Sequence, residues 1–179
     1  TAFLQKGALV SQSVGRVWIE MSSGRPTGFG TGFLVSPELM MTNHHVLPSK
    51  SSARTSKIEF NYQFDDRNRM MPTIMFDLDP DIFFVTNQNL DYTVVAVRHD
   101  GTAGSNLGLF PWNRLVAVEG KIIISQYMNI IQHPGGEPKR VALRYNQLID
   151  VLDDFLIYQT DTRAGSSGSP VYNDQWEVV

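Results

Sequence analysis

The chain has 179 residues and no cysteine, so no disulfide braces it, no thiolate holds a metal, and no cysteine serves as a nucleophile. No apolar run reaches membrane-spanning length, and the first residues, Thr1-Ala2-Phe3-Leu4, lack the basic head and apolar core of a leader peptide; no membrane partner is expected. A formal charge of −3 leaves no basic stripe to follow a phosphate backbone, so nucleic acid is not an expected partner either. Histidines and carboxylates do not recur at ligand spacings and no glycine-rich loop opens a helix, so neither a metal nor a phosphate-bearing cofactor is expected. Helical periodicity is scarce as well.

What the chain does have is short β-type runs. Residues 14–21, 32–35, 39–42, 57–64, 93–98, 121–131, 141–152 and 155–160 carry β-branched, aromatic or alternating apolar side chains. Turn residues divide them: Ser23-Gly24-Arg25-Pro26, Ser36-Pro37, Asp79-Pro80-Asp81, His99-Asp100-Gly101 and Pro134-Gly135-Gly136. Many short strands at this spacing predict an antiparallel barrel or sandwich. The strand-poor stretch 101–111, rich in Gly, Ser and Asn, is the expected link between two halves. With 42% hydrophobic residues the chain can bury one sizeable core or two small joined ones. Trp18, Trp112 and Trp176 are expected in packing roles.

Three short segments carry chemistry. Gly165-Ser166-Ser167-Gly168-Ser169-Pro170 sets a serine between glycines, which lets the chain turn sharply and lets a carbonyl approach backbone N–H groups. Thr42-Asn43-His44-His45-Val46 closes an apolar segment with two histidines. Leu90-Asp91-Tyr92-Thr93-Val94-Val95 opens a strand-like run with an aspartate. A serine hydroxyl needs a neutral imidazole to take its proton, and the imidazole needs a carboxylate to fix its tautomer. Histidine, aspartate, serine is one of the chain orders in which such a triad occurs. Taken singly, each segment is more often a turn or a cap.

These segments, together with Gly30-Thr31-Gly32-Phe33-Leu34-Val35 and His133-Pro134-Gly135-Gly136, resemble the chymotrypsin-fold serine proteases. The likeness is to their cysteine-free bacterial branch, which includes the glutamyl endopeptidases and the high-temperature-requirement proteases, and it runs from about Gly28 to Val179. It implies an all-β fold of two six-stranded antiparallel β-barrels, with residues 1–105 forming the barrel that carries His45 and Asp91. Residues 106–179 would form the barrel that carries Ser167, incomplete at its C-terminal end. By the Thr-Asn-x-His pattern of the family the base is His45, and His44 is its variable neighbour. Ser167 is the implied nucleophile, Asp91 the orienting carboxylate, and the backbone N–H groups of Gly165 and Ser167 the implied oxyanion hole.

Asp161, six positions before Ser167, stands where trypsin-type enzymes place the aspartate that selects Lys or Arg. A Thr-Asp pair in the high-temperature-requirement proteases offers a purely structural reading of Thr160-Asp161, and Arg163 could neutralise the charge. Both readings stay open, as does a glutamyl-type or small-residue preference. Ser166 occupies the position of the aspartate that pairs with a newly cut N-terminus in trypsin-type zymogens, so that switch is not expected. The resemblance therefore implies a serine endopeptidase acting on protein or peptide substrates, without a cofactor, as a module of a larger bacterial protein. Regulatory domains or a partner chain would complete the second barrel. The absence of cysteine favours a cytoplasmic location over a secreted one. The alternative from another class is a catalytically silent peptide-binding or scaffold module.

Overall fold

The alternating apolar residues after Val14 form β1 (Val14–Ser22), and Ser23 and Gly24, both at positive φ, turn the chain into β2 (Arg25–Leu34). A two-residue turn of this hand matches the twist of the strands it joins. β3 (Leu39–Thr42), β4 (Lys57–Phe60), β5 (Ile74–Leu78), β6 (Phe84–Asn87) and β7 (Tyr92–Gly101) follow. The computed structural model describes residues 1–117, 121, 123–143, 146–158 and 164–179.

The strands pair antiparallel in the order β3-β2-β1-β4-β5-β7, and β7 pairs back to β3, so six strands close into a barrel. β6 pairs antiparallel with the first residues of β7, Tyr92 to Val95. Inside lie Val17, Leu34, Met40, Leu47, Ile58, Phe60, Phe76, Leu78, Val95, Val97 and Leu107, all buried. Phe60, Phe76 and Phe110 meet ring to ring at 4.5 to 5.9 Å. Each fully buried ring contributes roughly 1.5–3 kcal/mol by leaving water.

The second half holds β8 (Asn129–Gln132), β9 (Arg140–Ala142), β10 (Leu148–Val151), β11 (Leu156–Tyr158) and β12 (Val171–Tyr172). They form a sheet β12-β8-β9 and a hairpin β10-β11, and among the described residues they do not close. The chain thus has the all-β, chymotrypsin-like architecture expected, with a closed first barrel and a partial second one. Large apolar side chains of this half stand exposed, among them Ile123, Ile149, Val151 and Phe155.

Several local expectations are corrected. α1 (Ala2–Ser11) was not foreseen: its apolar residues do not form one stripe, and Leu4 and Leu9 point to solvent. It is held by Trp176, whose indole N–H donates to the Phe3 carbonyl at 2.8 Å and whose ring lies against Gly7. A methyl group at Gly7 would come within 2.5 Å of that ring. A second helix, α2 (Lys50–Arg54), begins at Ser49, whose hydroxyl accepts from the Ser52 N–H, in what reads as a polar loop. β5 and β6 escaped because each is short and lies beside Pro72 or Asp79-Pro80. Among the described residues, the run 121–131 is strand only at its end, in β8. His99 lies on β7, which continues through Gly101, and pairs with Glu38 at 3.1 Å. Trp112 is exposed, whereas Trp176 is buried.

Candidate active site

β3 ends at Thr42, whose buried hydroxyl donates to the Thr31 carbonyl at 2.7 Å. The chain then turns tightly, with the N–H groups of Val46 and Leu47 both donating to the Asn43 carbonyl, and this turn presents His44 and His45 at the barrel rim. Asp91 stands just before β7 at φ 48, a left-handed conformation that a short polar side chain tolerates better than most. Two bonds tie turn and strand together. Asn43 donates to the Asp91 carbonyl at 2.7 Å, and the buried Thr93 hydroxyl donates to the Leu47 carbonyl at 2.9 Å.

Between these ties, His45 meets Asp91 twice. Its backbone N–H reaches Oδ1 at 3.0 Å, and its ring Nδ1 lies 2.8 Å from Oδ2. A carboxylate accepts, so Nδ1 carries the proton and the neutral ring leaves a lone pair on Nε2. The pair is open to solvent, with side chains 56% and 38% exposed, so it contributes orientation more than stability.

His44 faces elsewhere. Its Nδ1 lies 2.8 Å from the Thr86 hydroxyl, which in turn sits 2.6 Å from the Thr93 hydroxyl. The Thr86 hydroxyl also donates to the Tyr92 carbonyl at 3.2 Å, so His44 is tied into a hydroxyl network on β6 and β7. His45, and not His44, is the histidine paired with a carboxylate.

The loop 164–170 reaches the same rim from the other half. The Ser167 carbonyl accepts from the Thr31 N–H at 2.8 Å, and the Gly165 carbonyl accepts from the Thr31 hydroxyl at 2.8 Å. Over Gly30 the loop and the histidine turn converge: a Cβ there would stand 2.7 Å from a Val46 methyl and 3.5 Å from the Ser167 carbonyl. Gly165 and Gly168 adopt φ of 95 and 88, and a side chain at Gly168 would collide with the Thr31 carbonyl and the Thr42 hydroxyl. This is why glycine flanks the serines.

The three serines of the loop differ in availability. Ser166 Oγ is buried without a partner, and Ser169 Oγ donates to the Ser166 carbonyl at 2.5 Å. Ser167 is half-buried, and its hydroxyl carries no such tie. Among the described residues no hydrogen bond joins Ser167 Oγ to the His45 ring, and the N–H groups of Gly165 and Ser167 donate to no protein acceptor. Asp161 lies outside the described residues.

Sequence reasoning missed what supports the loop. His133 is fully buried, its Nδ1–H donates to the Glu137 carbonyl at 3.0 Å, and its Nε2 has no partner. Burial drives its pKa down to about 3, helped by the positive charges of Lys139 and Arg16 and opposed by the Glu137 carbonyl. Its own N–H donates to the Thr31 hydroxyl at 3.1 Å, and the next residues hold Ala164 through a 2.5 Å bond from the Gly135 N–H. Only the composition of His133-Pro134-Gly135-Gly136 signalled a turn here. Beside Asn43 opens a groove of about 660 Å³ lined by Val151, Phe155, Leu156, Val171 and Val178. No group of three or more metal-ligating side chains occurs among the described residues.

Residues 30–179 match the family model described as Trypsin-like peptidase domain. The uncharacterized protein y4fB of Sinorhizobium fredii is 38% identical over 187 residues, an alignment that takes in 99% of this chain and 28% of that protein. The chain therefore spans well under half of that relative. Among solved structures, a serine endoprotease from Yersinia pestis superposes with a TM-score of 0.67 at 16% identity, over 99% of this chain and 56% of the other. The active form of the Rv3671c protease from M. tuberculosis gives 0.65 at 18% identity, over 96% and 70%. At these identities the superpositions establish the shared fold.

Proposed function

The chain belongs to the trypsin-like peptidase family, and from that premise we propose that it is a serine endopeptidase with Ser167 as nucleophile, His45 as base and Asp91 as orienting carboxylate. The observation that carries the proposal is the His45–Asp91 contact at 2.8 Å, formed where the 164–170 loop meets the histidine turn.

In the proposed reaction Ser167 Oγ attacks the scissile carbonyl carbon while its proton passes to His45 Nε2. The carbonyl oxygen gains the charge and is held by the N–H groups of Gly165 and Ser167, each worth roughly 3–4 kcal/mol to the transition state. The tetrahedral adduct collapses, the C–N bond breaks, and His45 returns the proton to the leaving amine. Water then repeats the sequence on the acyl-enzyme, with His45 again as base. Asp91 stays ionised throughout and stabilises the imidazolium. Substrate binding would draw the serine and the imidazole into contact, since such bonds are often loose without substrate.

In the proposed context the domain is one module of a longer protein, divided near residues 105 and 106. A further strand from that protein or from a partner chain would cover the apolar side chains left open on β10 and β11. The unmade bond between Ser167 and His45 favours a second reading, a silent module that binds peptides without turnover. Selection for Lys or Arg by Asp161 is part of the proposal and rests on its position in the sequence. One experiment separates these readings. The full-length protein and its Ser167→Ala variant are incubated with a mixed peptide library, and the new termini are mapped by mass spectrometry. Cleavage after Arg and Lys that vanishes in the variant supports the whole reading. Cleavage after other residues keeps the peptidase and removes the basic pocket, and intact peptides bound by both proteins establish the silent module.

A further inference from the structure

Ser166 Oγ is buried and unpartnered, so no side chain of the 165–167 segment anchors it. Gly165 is fixed at its carbonyl by the Thr31 hydroxyl and otherwise by backbone packed on backbone. A Cβ at Gly165 would stand 2.6 Å from the Gly136 nitrogen and 2.7 Å from the His133 carbonyl, and the Gly135 N–H holds the preceding carbonyl, that of Ala164. The orientation of the Gly165 N–H therefore depends on where the 133–136 turn sits.

That turn is held from the first barrel. Arg16, 7% exposed, donates through Nη1 to the Gly136 carbonyl. Its other nitrogens, Nε and Nη2, reach Glu59 Oε2 at 2.8 and 2.7 Å, and the Trp18 indole N–H donates to the same oxygen at 2.9 Å. The guanidinium lies 3.6 Å from the Tyr62 ring centroid and 4.6 Å from that of Phe29. Phe29 also packs on Gly136, where a Cβ would come within 2.5 Å of the ring. Three fixed directions are thereby imposed on one planar cation. Arg16 is paired with Thr31 across the β1–β2 ladder, and Thr31 is the other residue that grips the loop, through Gly165 and Ser167. One rung of the first barrel thus holds both sides of the serine loop.

We infer that Arg16, fixed by Glu59, is a positioning residue for the oxyanion-binding loop, acting through the Gly136 carbonyl on the Gly165 N–H. The inference rests on the serine peptidase reading. A buried ion pair is often no more stabilising than apolar residues of the same volume, whereas a planar fork fixed on three sides specifies geometry. Arg16 has its polar contacts with Glu59 and the Gly136 carbonyl, and none with Ser167, His45 or Asp91.

The test uses the full-length protein and its Arg16→Lys, Arg16→Met and Glu59→Gln variants, each treated with a fluorophosphonate probe. Two quantities are read: the amount labelled at completion, which counts intact sites, and the second-order labelling rate, which reads stabilisation of the developing oxyanion. The expected result is an unchanged end point with a rate lowered about 10- to 100-fold in both Arg16 variants, because a slight misplacement of donors costs that much. The rate should fall less in Glu59→Gln, and the pH midpoint of labelling should not move, since His45 and Asp91 are untouched. If Arg16→Met does not fold, Arg16→Lys and Glu59→Gln carry the comparison. Wild-type rates in the variants, or a loss confined to the amount labelled, overturn this inference alone. An unlabelled wild type overturns the peptidase reading and this inference with it.

Discussion

The Asp91 carboxylate accepts both the backbone N–H and the ring Nδ1–H of His45, so one side chain fixes the position and the tautomer of the imidazole together. The Asp91→Asn amide would present a donor to Nδ1 and favour the opposite tautomer, with the proton on Nε2. Peptidase kcat should fall by about 10⁴-fold. Because the pair is well exposed, the thermal midpoint should move little. Paired kcat and melting measurements check this, and a large fall in the midpoint would make Asp91 chiefly a structural residue.

Thr31 joins three parts of the site. Its hydroxyl donates to the Gly165 carbonyl and accepts from the His133 N–H, and its backbone N–H donates to the Ser167 carbonyl. Thr31→Val keeps the shape and leaves two buried polar groups unpaired, at about 1–3 kcal/mol each. Denaturant unfolding should show a loss of about 2–6 kcal/mol. A loss below 1 kcal/mol would mean that neither group depends on the hydroxyl.

His133 gives the fold a defined acid weakness. Its folded pKa, pushed down to about 3 by burial, lies below the ordinary 6.5 of the unfolded chain, so between these values the unfolded chain holds the extra proton. Stability therefore rises with pH across that window and is lost as pH falls from 6.5 toward 3, by up to about 1.4 kcal/mol per pH unit from this group. Lys139 extends the trend. Burial lowers it to about 7, its ammonium donates to the Ser11 carbonyl, and stability climbs again from pH 7 toward the unfolded lysine value. His133→Asn keeps a donor for the Glu137 carbonyl but does not titrate there. Unfolding free energies at pH 4, 5, 6 and 7 should show a shallower slope in the variant, and parallel slopes would refute the assignment.

What was legible in the sequence was local. The glycines around Ser166 and Ser167, the Asn43-to-Val46 turn and the Asp91 strand start each carry their signal within a few residues, and so does the strand alternation of β1, β3 and β7. The supports of the site were not legible, because their partners lie far apart in the chain. Arg16 meets Gly136 across 120 positions and Thr31 meets Gly165 across 134, and neither residue type announces such a contact. α1 was missed for a related reason. Its stability comes from Trp176 packing on Gly7 and Phe3, residues that on their own argue for no helix.

The account turns on Ser167 being the reactive nucleophile. Intact mass and peptide mapping of the full-length protein after fluorophosphonate treatment test this most directly. The account predicts one adduct per chain, on Ser167, absent from Ser167→Ala and strongly slowed in His45→Ala. An adduct on Ser166 or Ser169, or undiminished labelling of either variant, would contradict it.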